Sequence, residues 1–335
     1  MEPLRVAGEP AEVVARLRDW LDADEAPPLL VETSGSTGKP KRVLLPRDAV
    51  LASVEATARR LGAEGRWALV LPPTYVAGVQ VVVRSLVAGH DPVVDGWSDA
   101  TGGARFTSLV PTQLHRLLAS SADVAALAGM DAVLLGGGPI DPGLRERAEA
   151  AGIRVVATYG MAETCGGCVY DGFPLDGVAL AVGEDGRIRI GGPTLFAGYD
   201  GDPEATAEVL ADGWFLTADA GRLGEDGRLH VLGRLDDVVV SGGVNVPTPA
   251  VAARLREHPD VADAAVVGVP DEEWGHRVVA YVVGTIDTET ARTWVAEAHP
   301  RTWAPRELVV VDALPLLPNG KVDRLALRTR AEEGM

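Results

Sequence analysis

The chain has 335 residues, of which 47% are hydrophobic and 24% charged, and its formal net charge is −17. This composition is typical of a globular protein with one large domain or two unequal ones, and the excess of acidic residues counts against a general nucleic-acid binder. No apolar run reaches the roughly 18–20 residues of a membrane-spanning helix, no secretory signal is visible, and two cysteines are too few for a disulfide framework, so we expect a cytoplasmic protein without membrane insertion.

The first half of the chain alternates between short apolar strands and helices. Val14, Leu17 and Leu21 have helical spacing, which predicts an amphipathic helix over 11–23. An apolar strand follows at 29–32. Further strands are predicted at 68–71, 132–135 and 155–158, and further helices at 48–61, 111–128 and 142–151. This alternation predicts an α/β fold, with a large layered N-terminal domain built on mainly parallel sheets.

The pattern changes after about residue 180. Two EDGR turns, at 184–187 and 225–228, and the pair Gly242-Gly243 predict hairpins. From about residue 250 the order helix, strand, strand, helix, strand predicts a small α+β domain, with its strands at 264–269, 277–283 and 308–312. We place the domain boundary after Arg234, so that the large domain is 1–234 and the small, mobile domain is 235–335.

A loop rich in small residues follows the strand at 29–32. It reads Thr33-Ser34-Gly35-Ser36-Thr37-Gly38-Lys39-Pro40-Lys41. Small residues let the backbone approach phosphates, hydroxyls and amides donate hydrogen bonds, and lysines supply positive charge. Of 31 basic residues only three are lysines, and two of them are in this loop. The spacing differs from a Walker A loop, which needs four residues between its glycines. The alternative is a flexible surface loop.

Five further motifs follow in a fixed order. They are Thr158–Thr164 (TYGMAET), Gly213–Asp219 (GWFLTAD), Gly233–Asp237 (GRLDD), Ser241–Gly243 (SGG) and Pro318–Lys321 (PNGK). With the loop at 33–41 they resemble, in the same order, the motifs of the adenylate-forming superfamily of acyl-CoA synthetases, adenylation domains and luciferases. Any single motif could be a turn, whereas six in order over about 290 residues are not accidental.

The resemblance implies a site for ATP or AMP. Its residues would be Thr33, Ser34, Gly35, Ser36, Thr37, Gly38, Lys39, Lys41, Gly137, Tyr159, Gly160, Asp219 and Arg234. Tyr159 would pack on adenine, and Asp219 and Arg234 would bind the ribose. The implied catalytic residues are Lys321, Thr164 and Glu163. Glu163 would coordinate Mg²⁺, Thr164 would touch the α-phosphate, and Lys321 would bridge this phosphate and the substrate carboxylate.

The implied reaction is that of an ATP-dependent, AMP-forming carboxylate–CoA ligase. A carboxylate attacks the α-phosphorus of ATP to give an acyl-adenylate and pyrophosphate, and the thiol of CoA, the co-substrate, then displaces AMP. In the resembling family the small domain turns about a hinge between the two steps. Asp236 would be the hinge, and Ser241, Gly242 and Gly243 would line the CoA channel.

The segment 158–178 resembles the short actinobacterial o-succinylbenzoate–CoA ligases of menaquinone biosynthesis, and only about 30 residues precede the loop at 33–41, as in a shortened family member. The acyl pocket would contain Tyr75, Arg84, Thr112, Gly166 and Gly167. Many relatives carry His where Tyr75 stands. The alternatives are a CoA ligase for another aryl or medium-chain acid and a non-catalytic adenylate-binding relative. The oligomeric state stays open between a monomer and a homodimer.

The pair Cys165 and Cys168 forms a CxxC motif. It could be half of a zinc site or a thioredoxin-like redox pair. No second cysteine pair and no histidine cluster accompanies it in the sequence, so we expect both cysteines to be small packing residues beside the acyl pocket.

Overall fold

The computed structural model describes residues 2–33, 40–99, 102–235, 238–317 and 322–333. The helices are α1 (Pro10–Asp22), α2 (Arg47–Leu61), α3 (Val76–Val87), α4 (Pro111–Leu117), α5 (Ser121–Ala128), α6 (Pro142–Ala150), α7 (Pro203–Val209), α8 (Thr248–Arg256), α9 (Thr288–Ala298) and α10 (Arg324–Glu333). The strands of the first half are β1 (Leu4–Arg5), β2 (Leu29–Thr33), β3 (Lys41–Leu45), β4 (Trp67–Leu69), β5 (Val93–Val94), β6 (Ser98–Asp99), β7 (Gly102–Gly103), β8 (Phe106–Leu109), β9 (Ala132–Leu135), β10 (Val155–Met161), β11 (Gly166–Tyr170) and β12 (Phe173–Pro174). The remaining strands are β13 (Ala179–Val182), β14 (Arg187–Gly191), β15 (Gly198–Tyr199), β16 (Leu210–Ala211), β17 (Trp214–Leu223), β18 (Leu229–Arg234), β19 (Val238–Ser241), β20 (Val244–Pro247), β21 (Val261–Asp271), β22 (Gly275–Gly284) and β23 (Glu307–Val310).

A seven-stranded sheet forms the centre of the large domain, in the order β12-β11-β10-β9-β8-β4-β5. Strands β10, β9, β8, β4 and β5 pair in parallel, and β11 and β12 extend the sheet in the antiparallel sense. All four residues of β9 are buried: Ala132 and Leu134 face one apolar cluster, and Val133 and Leu135 face another. A strand that is apolar on both faces is typical of a parallel sheet covered on both sides.

Two smaller sheets complete the large domain. One has the order β1-β2-β3-β15, and the other has the order β13-β14-β17-β16 with β18 paired to β17. In the hairpin of β2 and β3, Thr33 is paired with Lys41. The two ends of the predicted phosphate loop, Thr33 and Lys41, therefore lie side by side. The loop residues Ser34, Gly35, Ser36, Thr37, Gly38 and Lys39 lie outside the described residues.

The small domain is built on a three-stranded sheet in the order β21-β22-β23. Strands β21 and β22 are antiparallel, and β22 and β23 are parallel. Alternate residues of β21 face opposite sides: Ala264 and Val266 pack with α8 and α9, whereas Ala265 and Val267 pack with α10. The domain thus has apolar clusters on both faces of its own sheet, as expected for an α+β domain. The boundary after Arg234 stays a prediction.

The predicted fold class is confirmed, with two differences in the elements. The single helix predicted over 111–128 is two helices, because Ser120 caps a new start: its side chain accepts a hydrogen bond from the amide of Asp123 at 3.3 Å. For the segment that forms helix α3, the sequence predicted neither a helix nor a strand. No helix among the described residues is long and apolar enough to cross a membrane.

Candidate active site

The carboxyl ends of four neighbouring parallel strands bring several predicted site residues to one edge of the large sheet. The segment after β4 leads to Tyr75, the residue before α3, and β8 leads to Thr112 in the first turn of α4. Strand β9 leads to Gly137, and β10 ends one residue before the turn that carries Glu163. Because parallel strands point the same way, these residues share one edge, where α/β proteins bind their ligands.

The strand order reverses at this edge. From β4 the chain passes through α3 to β5 on one side, whereas β8, which follows later, lies on the other side of β4. A crevice forms at such a switch point, because the two connections leave the edge in opposite directions. Tyr75 and Thr112 flank this crevice, so the fold places two of the predicted acyl-pocket residues beside a natural ligand position.

The turn at Ala162–Thr164 presents Glu163 and buries Thr164. The Thr164 hydroxyl donates to the carbonyl of Gly166 at 2.7 Å and accepts from the amide of Met161 at 3.0 Å. Its exposed fraction is 0%. In this geometry the hydroxyl stabilises the turn, and the contact of Thr164 with an α-phosphate stays a prediction.

Gly160 allows β10 and β11 to approach closely beside this turn. A Cβ atom at this position would lie 2.1 Å from the carbonyl oxygen of Gly166, which is well inside a van der Waals contact. Any side chain at Gly160 would separate the two strands. The role of Gly160 visible in the structure is thus to permit close packing beneath the predicted nucleotide site.

Three of the predicted nucleotide-binding residues come together from β10 of the large sheet and from the paired strands β17 and β18. The hydroxyl of Tyr159 donates to Oδ2 of Asp219 at 2.7 Å. Asp219 on β17 is the direct register partner of Arg234 on β18. Burial, and then the adjacent Asp219 carboxylate, raise the pKa of Tyr159 above its usual value, so the phenol stays neutral and remains a donor. The tyrosine hydroxyl therefore fixes the orientation of the carboxylate, and Arg234 lies beside it on the neighbouring strand.

Tyr199 connects the phosphate-loop lysine with the predicted magnesium ligand, and sequence analysis missed it. Its hydroxyl donates to Oε1 of Glu163 at 2.9 Å. Nζ of Lys41 lies 3.4 Å from the same hydroxyl and 4.7 Å from the ring centroid. Burial, and then Glu163, raise the pKa of Tyr199 above its usual value. The only sequence signal is an aromatic residue in a Gly-rich turn, which is too common to identify a site.

Glu163 offers a half-buried carboxylate at the sheet edge, close to Lys41. Within the described ranges no group of three or more His, Cys, Asp or Glu residues could hold a metal ion by itself. Mg²⁺ usually binds through one or two carboxylates together with substrate phosphates and water. A single carboxylate next to a phosphate loop fits that donor set, so Glu163 is the residue that could hold Mg²⁺ with ATP.

The predicted acyl-pocket glycines have different neighbours: Gly166 lies against α3, whereas Gly167 lies against Thr158 and Tyr170. A Cβ atom on Gly166 would lie 3.3 Å from Cγ of Gln80 and 4.0 Å from Val76. A Cβ atom on Gly167 would lie 3.2 Å from the ring of Tyr170. The absence of side chains at both glycines therefore lets β11 approach its neighbours closely. Gln80 was missed in the sequence because it is one polar residue within an apolar run.

Arg84 is buried one turn after Gln80. Its Nη2 lies 3.1 Å from the Thr57 hydroxyl and 3.4 Å from the Tyr170 hydroxyl, and its guanidinium lies 5.1 Å from the Trp67 ring centroid. Burial lowers the pKa of Arg84. No ion pair joins it to an acidic residue in the described part of the chain. A buried cation without an opposite charge is costly, and an anionic ligand would offset this cost.

The CxxC cysteines are buried packing residues. Both thiols are free and fully buried. Burial raises the pKa of Cys168 to about 12 and that of Cys165 above its usual value. Thiolates are the nucleophiles and metal ligands, so neutral buried thiols suit neither redox nor zinc chemistry. The expected packing role agrees with this geometry.

The predicted CoA-channel residues form a tight hairpin in the small domain. Ser241 ends β19, and Gly242 and Gly243 have φ of +58° and +77°, as a two-residue hairpin turn requires. A Cβ on Gly242 would lie 2.7 Å from Trp274. The hinge residue Asp236 and the catalytic residue Lys321 lie outside the described residues. Their roles, and the channel itself, stay predictions.

Two family models match the chain. The AMP-binding enzyme model matches residues 22–200. The model of the AMP-binding enzyme C-terminal domain matches residues 250–321. The two matches correspond to the large and the small domain of the structure.

Relatives and solved structures agree with these matches. A probable 2-succinylbenzoate–CoA ligase from Mycobacterium tuberculosis is 47% identical, over 94% of this chain and 87% of the relative. A 2-succinylbenzoate–CoA ligase from Geobacillus kaustophilus is 33% identical, over 91% and 69%.

Among solved structures, o-succinylbenzoate CoA synthetase (MenE) from Bacillus subtilis in complex with the acyl-adenylate intermediate OSB-AMP has a TM-score of 0.78 and 29% identity, covering 90% of this chain and 68% of that one. ATP-bound MatB from Rhodopseudomonas palustris has a TM-score of 0.80 and 26% identity, covering 91% and 68%. The chain belongs to the AMP-binding enzyme family.

Proposed function

We propose that this chain is an ATP-dependent 2-succinylbenzoate–CoA ligase of menaquinone biosynthesis, which forms an acyl-adenylate and then a CoA thioester. The observation that supports the proposal is the hydrogen bond from Tyr159 to Asp219, the register partner of Arg234. Tyr159 lies on β10, the strand that leads directly into the turn with Glu163. The relatives named above support the choice of acid and of the second substrate.

The first step must bring two anions together, because a carboxylate attacks the α-phosphorus of ATP. The chain is acidic overall, with a net charge of −17, so positive charge has to be local. Lys41 lies beside Tyr199 at the base of the phosphate loop. We assign Lys39 and Lys41 to the phosphates and Lys321 to the α-phosphate and the attacking carboxylate. When bound, Mg²⁺ lowers the negative charge of the phosphates.

The protein residues hold the nucleotide in place during this step. Asp219 accepts hydrogen bonds from the ribose hydroxyls, and Arg234 donates to the same sugar. Tyr159 packs on adenine, while its hydroxyl keeps the Asp219 carboxylate in one orientation at 2.7 Å. A carboxylate whose orientation is fixed before binding loses less entropy when the ribose arrives, which strengthens the complex.

The second step requires a different set of groups near the adenylate. We propose that the small domain turns about Asp236, which withdraws Lys321 and brings the hairpin of Ser241, Gly242 and Gly243 to the CoA channel. Domain movements of this kind separate two half-reactions that share one site. We place the reaction in the cytoplasm, where cysteines such as Cys165 and Cys168 stay reduced.

Pyrophosphate exchange tests the proposal directly. The assay measures incorporation of labelled pyrophosphate into ATP with 2-succinylbenzoate, benzoate or a medium-chain fatty acid as the acid. We expect exchange with 2-succinylbenzoate at a kcat/KM at least about tenfold above the other acids. Addition of CoA should then give the thioester. Exchange with another acid alone would overturn the choice of substrate, and no exchange with any acid would overturn the enzyme assignment.

The oligomeric state is tested separately. We propose a homodimer as the alternative to a monomer, and light scattering after gel filtration distinguishes the masses of one and two copies of the 35.0 kDa chain.

A further inference from the structure

Helix α3 carries two long polar side chains on one buried face. Gln80 and Arg84 are four residues apart, so both point to the same side of the helix. Their exposed fractions are only 2% and 6%. The rest of the helix is rich in valine, which makes these two residues exceptions that packing alone does not require.

The amide of Gln80 has no hydrogen-bond partner in the described part of the chain. Both Nε2 and Oε1 are buried and unpaired. The side chain lies against Gly166, where a Cβ would approach Cγ of Gln80 to 3.3 Å, and Val76 lies beside the same glycine. Gly166 follows the turn that carries Glu163 by two residues. The Gln80 side chain thus lies against Gly166, one of the residues predicted to form the acyl pocket.

Arg84 lies on the same face of α3 as Gln80, one helical turn or about 6 Å further along the helix axis. Its Nε is buried and has no partner among the described residues, although Nη2 contacts Thr57 and Tyr170. A small pocket between the ends of α2 and α3 reaches Arg84, and its lining does not include Gln80. Water from that pocket can hydrate the guanidinium, but it does not account for the unpaired amide of Gln80.

We infer that Gln80 is a specificity-determining residue that donates from Nε2 to the second carboxylate of a dicarboxylic substrate, the one that is not adenylated. The inference rests on the proposed function and deepens it. A carboxylate accepts hydrogen bonds only, so it fits the unpaired amide donor of Gln80. A monocarboxylic acid of the same shape leaves the Gln80 amide unpaired and binds less well.

The test compares two variants of α3 on three acids. Gln80→Leu removes the amide and keeps a similar side-chain volume. Ser85→Ala is the matched control, since Ser85 is also polar, buried and on α3, but its Oγ accepts from the amide of Trp67 at 3.2 Å. The acids are 2-succinylbenzoate and two monocarboxylic analogues, 4-oxo-4-phenylbutanoate and 2-butanoylbenzoate, each of which keeps one carboxylate. The monocarboxylic analogue that wild-type protein adenylates is the reference acid, to which the kcat/KM for the diacid is compared.

For Gln80→Leu we expect the ratio of kcat/KM for the diacid to that for the reference to fall about 10–100-fold, mainly through a higher KM. Ser85→Ala should leave this ratio unchanged. An equal effect of Gln80→Leu on both acids, with the ratio preserved, would overturn the inference. If the leucine variant does not fold, as judged by its thermal transition, Gln80→Met takes its place with the same expected ratio.

The two levels of the proposal fail differently. Wild-type protein that activates 2-succinylbenzoate, together with an unchanged ratio in the Gln80 variants, overturns the role of Gln80 alone. Wild-type protein that does not activate the diacid overturns the proposed function, and the role of Gln80 with it.

Discussion

The two halves of the candidate site treat their polar groups in opposite ways. In the nucleotide half, Tyr159 is hydrogen-bonded to Asp219, and Tyr199 to Glu163. In the acyl half, Gln80 has no partner among the described residues, and Nε of Arg84 has none either. Paired groups stabilise the protein before any ligand binds. Unpaired buried groups cost stability until a ligand pairs them. We therefore expect the acyl half to discriminate between substrates more strongly than the nucleotide half.

The largest expected effect concerns Lys321, which we assign to both the α-phosphate of the nucleotide and the carboxylate of the acid. Lys321→Ala should lower the rate of adenylation about 10²–10³-fold, because the reacting anions lose a fixed positive charge. Capture of a supplied acyl-adenylate by CoA should change little. Pyrophosphate exchange measures the first step, and thioester formation from the synthetic adenylate measures the second. Equal losses in the two steps would contradict the assigned role.

The next prediction tests the proposed contact between Asp219 and the ribose in the nucleotide half. Asp219→Asn should raise the KM for ATP about 10–100-fold, because the ribose hydroxyls lose a charged acceptor. The matched control is 2′-deoxy-ATP, which lacks one of these hydroxyls. Wild-type protein should bind this analogue less well than ATP, and Asp219→Asn should show a smaller difference between the two nucleotides. Independent, additive effects of the variant and the analogue would argue against a direct contact.

Stability measurements test the comparison itself. Tyr159→Phe removes a paired hydroxyl and should lower the free energy of unfolding by about 1 kcal/mol. Gln80→Leu removes an unpaired amide and should raise it by a similar amount, because the buried polar group no longer has to be desolvated. Denaturant unfolding without ligands measures both. Loss of stability in both variants would mean that Gln80 is paired in the free protein.

The smallest expected effect is the absence of a reaction. The pKa of Cys168 is raised to about 12 and that of Cys165 is also raised, so both thiols stay protonated in the native protein at pH 8–9. Iodoacetamide should then label neither cysteine until the protein is unfolded, as mass spectrometry can show. Rapid labelling of native protein at pH 8 would show that the CxxC segment opens to solvent.

Sequence patterns predicted the fold where local signals and burial agree. The all-apolar segment 132–135 indicated a buried strand, and Gly242-Gly243 indicated a hairpin; both are present. Helix α3 was missed because Val81–Val83 are β-branched, and local propensity favours a strand for such residues. The segment is instead a helix, because its packing against the sheet and its neighbours overrides local propensity.

The site was predictable to a different extent. Residues such as Asp219 and Glu163 are recognisable from their motifs, and in the structure Asp219 accepts a hydrogen bond from Tyr159, four residues before Glu163. Tyr199 and Gln80 have no such signal, because each matters only through a contact with a segment far away in the sequence: Glu163 for Tyr199, and Gly166 for Gln80. Thr164 has a structural role that its motif did not indicate, since its hydroxyl stabilises a turn.

The register of β17 and β18 has a consequence for communication within the molecule. Asp219 is opposite Arg234, the last residue of β18, and the proposed pivot Asp236 is two residues further on. A ligand shifts a conformational equilibrium only by as much as its affinities for the two states differ. If the proposed ribose contact lies this close to the proposed pivot, we expect a small change in backbone direction at the pivot to alter the affinity for the sugar. Departure of AMP and the orientation of the small domain are then thermodynamically linked, and each biases the other by the same free energy.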